Sequence, residues 1–449
     1  MRAFHLSWFS FFTAFFIWFA IAPLLSEIKN TIGLTKKEIW TSNIVGVGGT
    51  ILMRFVNGPM CDRFGARLPF TGMLCFASIP CALTGTINSA TSLAILRLFV
   101  GFGGSCFVMC QAWTSSMFSK EVVGTANALA GGWGNLGGGV TQVVMGSVLF
   151  PLFKVFFENS EDPAEMTWRT VCVVPAVIGF GTGIALCLLG DDTPRGNFAD
   201  LRKHGAMPNV SASASFSHGA KNHNSWLLAL QYACSFGVEL TMNNAAALYF
   251  HDEFGQSTES AAAIASIFGW MNLVARGLGG WSSDRLNVKL GMRGRLIVHT
   301  LYLLCEGCLV IAFAHVGSLG LAIAVMVFFS LFVQAAEGTT YAVVPYVDPP
   351  STGSIAGIIG AGGNCGAVCF GLGFRSLNYK QAFLLMGIVV IASSIRTAGI
   401  YINGQSALFC GSATAASVAG EENEATEEPD LSINSDSEVV EGEEVIVDV

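Results

Sequence analysis

The sequence predicts an all-α membrane protein whose twelve transmembrane helices form two pseudo-symmetric six-helix bundles. Three observations carry that prediction: the composition, a series of apolar segments of membrane-spanning length, and two motifs that recur half a chain apart. Of the 449 residues, 52% are hydrophobic and only 12% are charged, where soluble domains carry about a quarter charged residues. The mean hydropathy is +0.57. These values point to a polytopic membrane protein.

The formal net charge of −8 suggests an acidic protein until the chain is divided near residue 420. The last thirty residues hold 12 Asp and Glu and no Lys or Arg, which leaves 19 acidic against 23 basic residues in the remainder. Residues 405–449 therefore read as a disordered, self-repelling acidic tail on the cytoplasmic side, too poor in aromatics to fold alone. The 13 cysteines lie mostly inside apolar runs. No pair stands at ligand spacing with His or carboxylate partners, so they read as small polarizable packing residues, with neither metal nor cofactor implied.

Segments of about 20 apolar residues, enough to cross a bilayer, fall at 5–26, 39–60, 69–88, 92–115, 122–150 and 168–190, then at 226–250, 260–282, 295–315, 318–346, 353–376 and 380–402. The first has Arg2 ahead of it and "AIA" at 20–22, in the manner of a secretory signal. Its apolar run is longer than a signal core and eleven spans follow it, so it reads as a membrane helix. With both termini on one side, that side collects twelve loop Lys and Arg against seven opposite, which places the termini in the cytoplasm. The domain boundaries that follow are 1–190 and 226–404 for the two bundles, joined by a cytoplasmic linker at 191–225 that contains "SASASFSHG".

The halves repeat each other. "RFVNGPMCDRFGAR" from 54 superposes on "RGLGGWSSDRLNVK" from 276. Arg54 then meets Arg276, Gly58 meets Gly280, Asp62 meets Asp284 and Arg63 meets Arg285. "GGWGNLGGG" at 131–139 superposes on "GAGGNCGAV" at 360–368, which sets Asn135 opposite Asn364. Two unrelated motifs at nearly one offset argue for duplication.

Arg54 lies two helical turns before Asp62, roughly 12 Å deeper along the helix at 1.5 Å per residue. An arginine near mid-bilayer costs about 2.5 to 3.5 kcal/mol on insertion scales, so it is expected to face a cavity or a partner. Two readings remain open. In one, buried carboxylates neutralise the arginines, the candidates being Glu239, Glu306 and Glu337. In the other, the two guanidiniums converge on a small planar oxyanion that their fixed forks match. The glycine runs, Gly131, Gly132, Gly134, Gly137 and Gly138 on one helix and Gly360, Gly362 and Gly363 on its mate, permit close helix approach. Asn135 and Asn364 could donate to substrate oxygens without adding charge.

The pattern G-x-x-x-D-R-x-G-x-R at 58–67, with twelve spans and a central loop, resembles the signature of the major facilitator superfamily. The resemblance implies that Gly58, Asp62, Arg63, Arg67, Gly280, Asp284 and Arg285 gate and pack the cytoplasmic face. "GGWGNLGGG" and "GAGGNCGA" look like the paired signatures of the nitrate/nitrite porter family within it. "FGVELTMNNAAALYF" at 236–250 and "QAAEGTTYAVVPYV" at 334–347 look like the high-affinity nitrate transporters of plants and algae. The resemblance implies proton-coupled uptake of nitrate, in some members also nitrite, at the plasma membrane, and in some relatives a small single-span accessory protein. It places the substrate arginines on Arg54 and Arg276 and the signature asparagines on Asn135 and Asn364. "YACSF" matches at Tyr232 and Phe236, with Asn272 and Phe107 as weaker matches. Glu239 and Glu337 are the candidate proton carriers, since burial favours the protonated form of a carboxyl. A nitrate/nitrite exchanger and a nitrate sensor with little flux are the rival readings. Enzymatic readings lack any triad, metal cluster or cofactor motif.

Overall fold

The computed structural model describes residues 2–119, 122–205 and 211–410. The acidic tail expected at 405–449 lies, from 411 onward, outside the described residues. Twelve long helical segments follow in order: α1 Arg2–Ile32, α2 Lys36–Phe64, α3 Arg67–Thr86, α4 Ala90–Met117, α5 Val123–Phe156, α6 Pro163–Leu189, α7 His223–Phe254, α8 Ser260–Leu290, α9 Met292–Phe313, α10 Leu319–Val347, α11 Thr352–Ser376 and α12 Tyr379–Gly399. Among the described residues eleven of these are long and apolar enough to cross a membrane. The remaining one, α7, matches them in length but buries Gln231, Glu239, Asn243 and Asn244 along its course. Of these, Glu239 lies at the site.

Several helices run past the expected spans because charged and capping residues continue them beyond the apolar core. Thr35 caps α2 in a reciprocal box with Glu38, which draws Lys36 and Lys37 into the first turn. Half of this device stands 222 residues on, where Ser257 accepts from the Ser260 amide in the turn leading into α8. Left-handed glycines end the preceding helices at the same offset, Gly33 (φ 75°) after α1 and Gly255 (φ 63°) after α7. The duplication thus extends to the punctuation between helices.

Packing repeats as well. The neighbours α1–α5, α2–α4 and α3–α6 recur six helices later as α7–α11, α8–α10 and α9–α12. The halves meet along α2–α11 and α5–α8. Helix α6 turns Val177, Ile178, Phe180 and Leu188 outward and buries Ala176, Gly179 and Gly183. Large apolar residues outside and small ones inside is the pattern lipid favours, since helices gain by close backbone approach rather than by hiding oil from water.

At the face that the loop charges mark as cytoplasmic, each half closes on the other through an aspartate. Asp62 at the end of α2 accepts from the Ser354 amide (3.0 Å) and hydroxyl (2.8 Å) at the start of α11. Asp284 on α8 accepts from the Thr125 amide (3.1 Å) and hydroxyl (2.6 Å) at the start of α5, and from Arg295 at 2.6 Å. A carboxylate at a helix N-terminus satisfies amides that the helix itself leaves free. Gly58 and Gly280 allow the approach: a β-carbon on Gly58 would sit 2.8 Å from the Gly353 carbonyl, and one on Gly280 would sit 2.6 Å from Ala128. The arginines of the motif do otherwise. Arg63 and Arg285 are exposed, each lying over its own neighbouring ring, Phe64 and Trp281. Arg67 donates to the Cys187 carbonyl at 2.9 Å.

The segment read as a linker is partly helical, at Phe198–Lys203 and Ala212–Lys221. The second helix carries "SASASFSHG", and its Ser215 donates to Asp62 at 2.7 Å. The linker therefore touches the closure it was expected only to connect. Gly58→Ala, which forces a methyl group against a backbone carbonyl, is expected to cost about 1 to 3 kcal/mol of stability. A lower melting temperature of the purified protein, with slower uptake, is the measurable result.

Candidate functional site

Midway along the helices, seven of the twelve converge: α2, α4, α5, α7, α8, α10 and α11. Arg54 of α2 and Arg276 of α8 are fully buried, at 0% and 1% exposure. Between them lies Phe107 of α4. The Arg54 guanidinium stands 5.0 Å and that of Arg276 stands 5.3 Å from its ring centre. Phe236 of α7 holds Arg54 as well, at 4.9 Å. The rings of Phe107, Tyr232 and Phe236 stack nearly parallel, with Tyr232 and Phe236 5.0 Å apart at 10°. Their negative faces offset part of the repulsion between two buried cations.

The two arginines are chemically unequal. Arg54 donates to the carbonyls of Gly360 (2.5 Å) and Gly104 (3.1 Å), meets no carboxylate among the described residues, and leaves Nε without a partner. Arg276 donates to the Glu337 carboxylate and to the Tyr232 hydroxyl (2.8 Å), and has a Glu239 oxygen 4.0 Å away. Arg276 is thus paired with a buried carboxylate, whereas Arg54 hydrogen-bonds to backbone carbonyls alone. The expectation of two equivalent forks is corrected: duplication supplied both arginines, but the carboxylates Glu239 and Glu337 arise only in the second half.

The asparagines divide similarly. Asn135 and Asn272 donate to the two oxygens of Glu239, at 3.2 and 2.9 Å. Asn364 donates to the Val47 carbonyl at 3.3 Å. All three leave a buried amide oxygen unpartnered, as does one oxygen of Glu337. Such groups are costly to bury unless something meets them.

Glycines make room for this cluster. A β-carbon on Gly360 would lie 3.0 Å from Arg54, one on Gly131 3.1 Å from Arg276, one on Gly132 2.6 Å from the Asn272 carbonyl, and one on Gly363 2.7 Å from the Phe236 ring. Gly134, Gly137, Gly138 and Gly362 instead face α1 and α7 backbone or side chains, where they serve helix packing.

This geometry can be set beside known proteins. The Major Facilitator Superfamily profile matches residues 7–372. High affinity nitrate transporter 2.5 of Arabidopsis thaliana is 39% identical over 414 residues, covering 92% of this chain and 82% of that protein. Nitrate transporter 2.2 of Chlamydomonas reinhardtii is 34% identical over 422 residues, covering 92% and 81%. The chain belongs to the nitrate/nitrite porter family of the major facilitator superfamily. Among solved structures, the proton:xylose symporter XylE superposes on the porter with a TM-score of 0.63 at 15% identity, covering 88% of this chain and 94% of that one. That likeness shows the fold alone.

Two groups of the porter's site escaped the sequence reading. The Gly104 carbonyl carries no side-chain signature for such a role. Tyr341 sets its edge against Phe107 (4.9 Å) and Tyr232 (5.2 Å) and donates to the Ala356 carbonyl. It stood inside "QAAEGTTYAVVPYV", where only Glu337 drew attention. Outside the site, buried Arg97 of α4, 4% exposed, lies in "SLAILRLFVG" with no twin in the second half and also went unread.

Proposed function

We propose that the porter imports nitrate, and nitrite as a second substrate, across the plasma membrane by proton-coupled alternating access, with both termini cytoplasmic. The observation that carries this reading is a pair of buried guanidiniums flanking one aromatic ring at the junction of the halves, one of them without a carboxylate. A trigonal, flat anion suits that place. Its oxygens can take donors from Arg54 Nε and from the asparagine amides, while its face lies along the Phe107, Tyr232 and Phe236 rings.

Charge counting supplies the coupling. With Glu239 and Glu337 both ionised, the four charged groups sum to zero and the site has no net attraction for an anion. One proton raises the sum to +1, which a single nitrate neutralises. Glu337 is the group to protonate, because it occupies an Nη of Arg276 that the anion would take. Against an inside-negative potential a second proton per nitrate makes the cycle import net positive charge, and Glu239, 4.0 Å from Arg276, is placed to carry it. The halves then rock about the loaded site, opening α2–α11 and α5–α8 at one face while the other closes.

Tracer nitrate uptake in a host stripped of its own nitrate transport tests the function. Saturable accumulation is expected. Binding without accumulation would instead make the protein a sensor.

A further inference from the structure

Four arginines are buried among the described residues: Arg54, Arg97, Arg276 and Arg295. Arg276 and Arg295 meet carboxylates. Arg97 does not. Its guanidinium donates to two amide oxygens, those of Asn43 on α2 and Asn244 on α7, the latter at 2.9 Å. The Asn244 amide nitrogen is tied to the Leu240 carbonyl at 2.8 Å, which aims its oxygen at the arginine.

The placement is specific. Arg97 precedes Gly104, whose carbonyl holds Arg54, by seven residues, so it stands about 10 Å outward along α4 at 1.5 Å per residue. The bond to Asn244 joins the first half to the second on the outer side of the arginine pair. Beside it, a cavity between α2, α7 and α11 is lined by Asn43, Val47, Thr241, Asn244, Ala367 and Gly371. One of its lining residues adjoins the central site, since the Val47 carbonyl accepts from Asn364. Farther out, Trp40 stacks on Phe374 at 5.5 Å and Lys36 lies 3.9 Å over Tyr379.

We propose that Arg97 is an outer anion site and the latch of the outer gate. A small monovalent oxyanion arriving from outside takes the place of the Asn244 oxygen on the Arg97 guanidinium. A buried guanidinium cannot be left without acceptors, so the bond between the halves yields only as the anion supplies one. A neutral amide is the fitting latch. It holds the cation in the absence of an anion, and a charged acceptor outcompetes it because charge-assisted hydrogen bonds are the stronger kind. An aspartate there would hold the gate shut. The anion then moves inward along the cavity to Asn364 and Arg54.

This inference rests on the nitrate-transport reading, and the experiment separates the two. In proteoliposomes of known orientation, nitrate KM is measured by influx at the outer face and by efflux at the inner face. Arg97→Gln is expected to raise the outer KM at least tenfold and leave the inner KM within about twofold. Asn244→Asp, nearly isosteric, is expected to slow influx at least tenfold at equal protein density. Equal shifts at both faces, or wild-type influx in Asn244→Asp, would overturn the outer site. If Arg97→Gln does not fold, Asn244→Asp decides alone. A wild-type protein that moves no nitrate would overturn the transport reading itself, and the outer site with it.

Discussion

Arg54→Lys is expected to weaken nitrate binding by roughly tenfold to a hundredfold while leaving the protein folded. The magnitude follows from losing one or two charge-assisted hydrogen bonds, each about 1.5 to 3 kcal/mol, against about 1.4 kcal/mol per factor of ten. Lysine keeps the charge but brings a compact ammonium in place of a flat fork. It cannot bond the carbonyls of Gly360 and Gly104, lie across Phe107 and Phe236, and still present an Nε donor. Isothermal titration with nitrate on the purified variant measures the effect. Wild-type affinity would remove Arg54 from the binding site.

Glu337→Gln is expected to have the second large effect, on coupling and stability together. Removing one partner of a buried ion pair costs about 3 to 5 kcal/mol. The glutamine oxygen still accepts from Arg276, which keeps the loss near the lower figure. The permanent neutral side chain leaves the site at +1 with only Glu239 to take a proton, so one proton per nitrate carries no net charge. Nitrate should bind, and nitrate-evoked inward current should vanish. Glu239→Gln should be milder in stability, because its carbonyl oxygen can keep one of the two bonds from Asn135 and Asn272. Loss of either proton leaves no net current, so a current retained in Glu337→Gln would remove Glu337 from the carriers.

Much of this fold could be read from residue patterns, because membrane insertion demands long apolar runs and duplication writes several motifs twice. Arg54 and Arg276 identified each other by alignment, as did Asp62 and Asp284. The same reliance on repetition hid Arg97, which breaks the apolar run as plainly as Arg54 does but has no counterpart in the second half. It also made the arginines look equivalent, since the duplicated motifs say nothing of Glu337, which lies elsewhere in sequence and joins Arg276 only through the packing of α10 on α8. Backbone carbonyls such as that of Gly104 belong to every residue and could not be singled out. Helix α7 was legible as a span but not for its buried polar groups, because Gln231, Glu239, Asn243 and Asn244 are covered only once the neighbouring helices are in place.

The central claim, that protons drive an anion through a site between Arg54 and Arg276, is tested most directly with purified protein in liposomes whose pH gradient and voltage are set separately. An acidic exterior and an inside-negative potential should each accelerate nitrate accumulation, with no nitrite required inside. Uptake that ignores both gradients and proceeds only in exchange for internal nitrite would contradict the account.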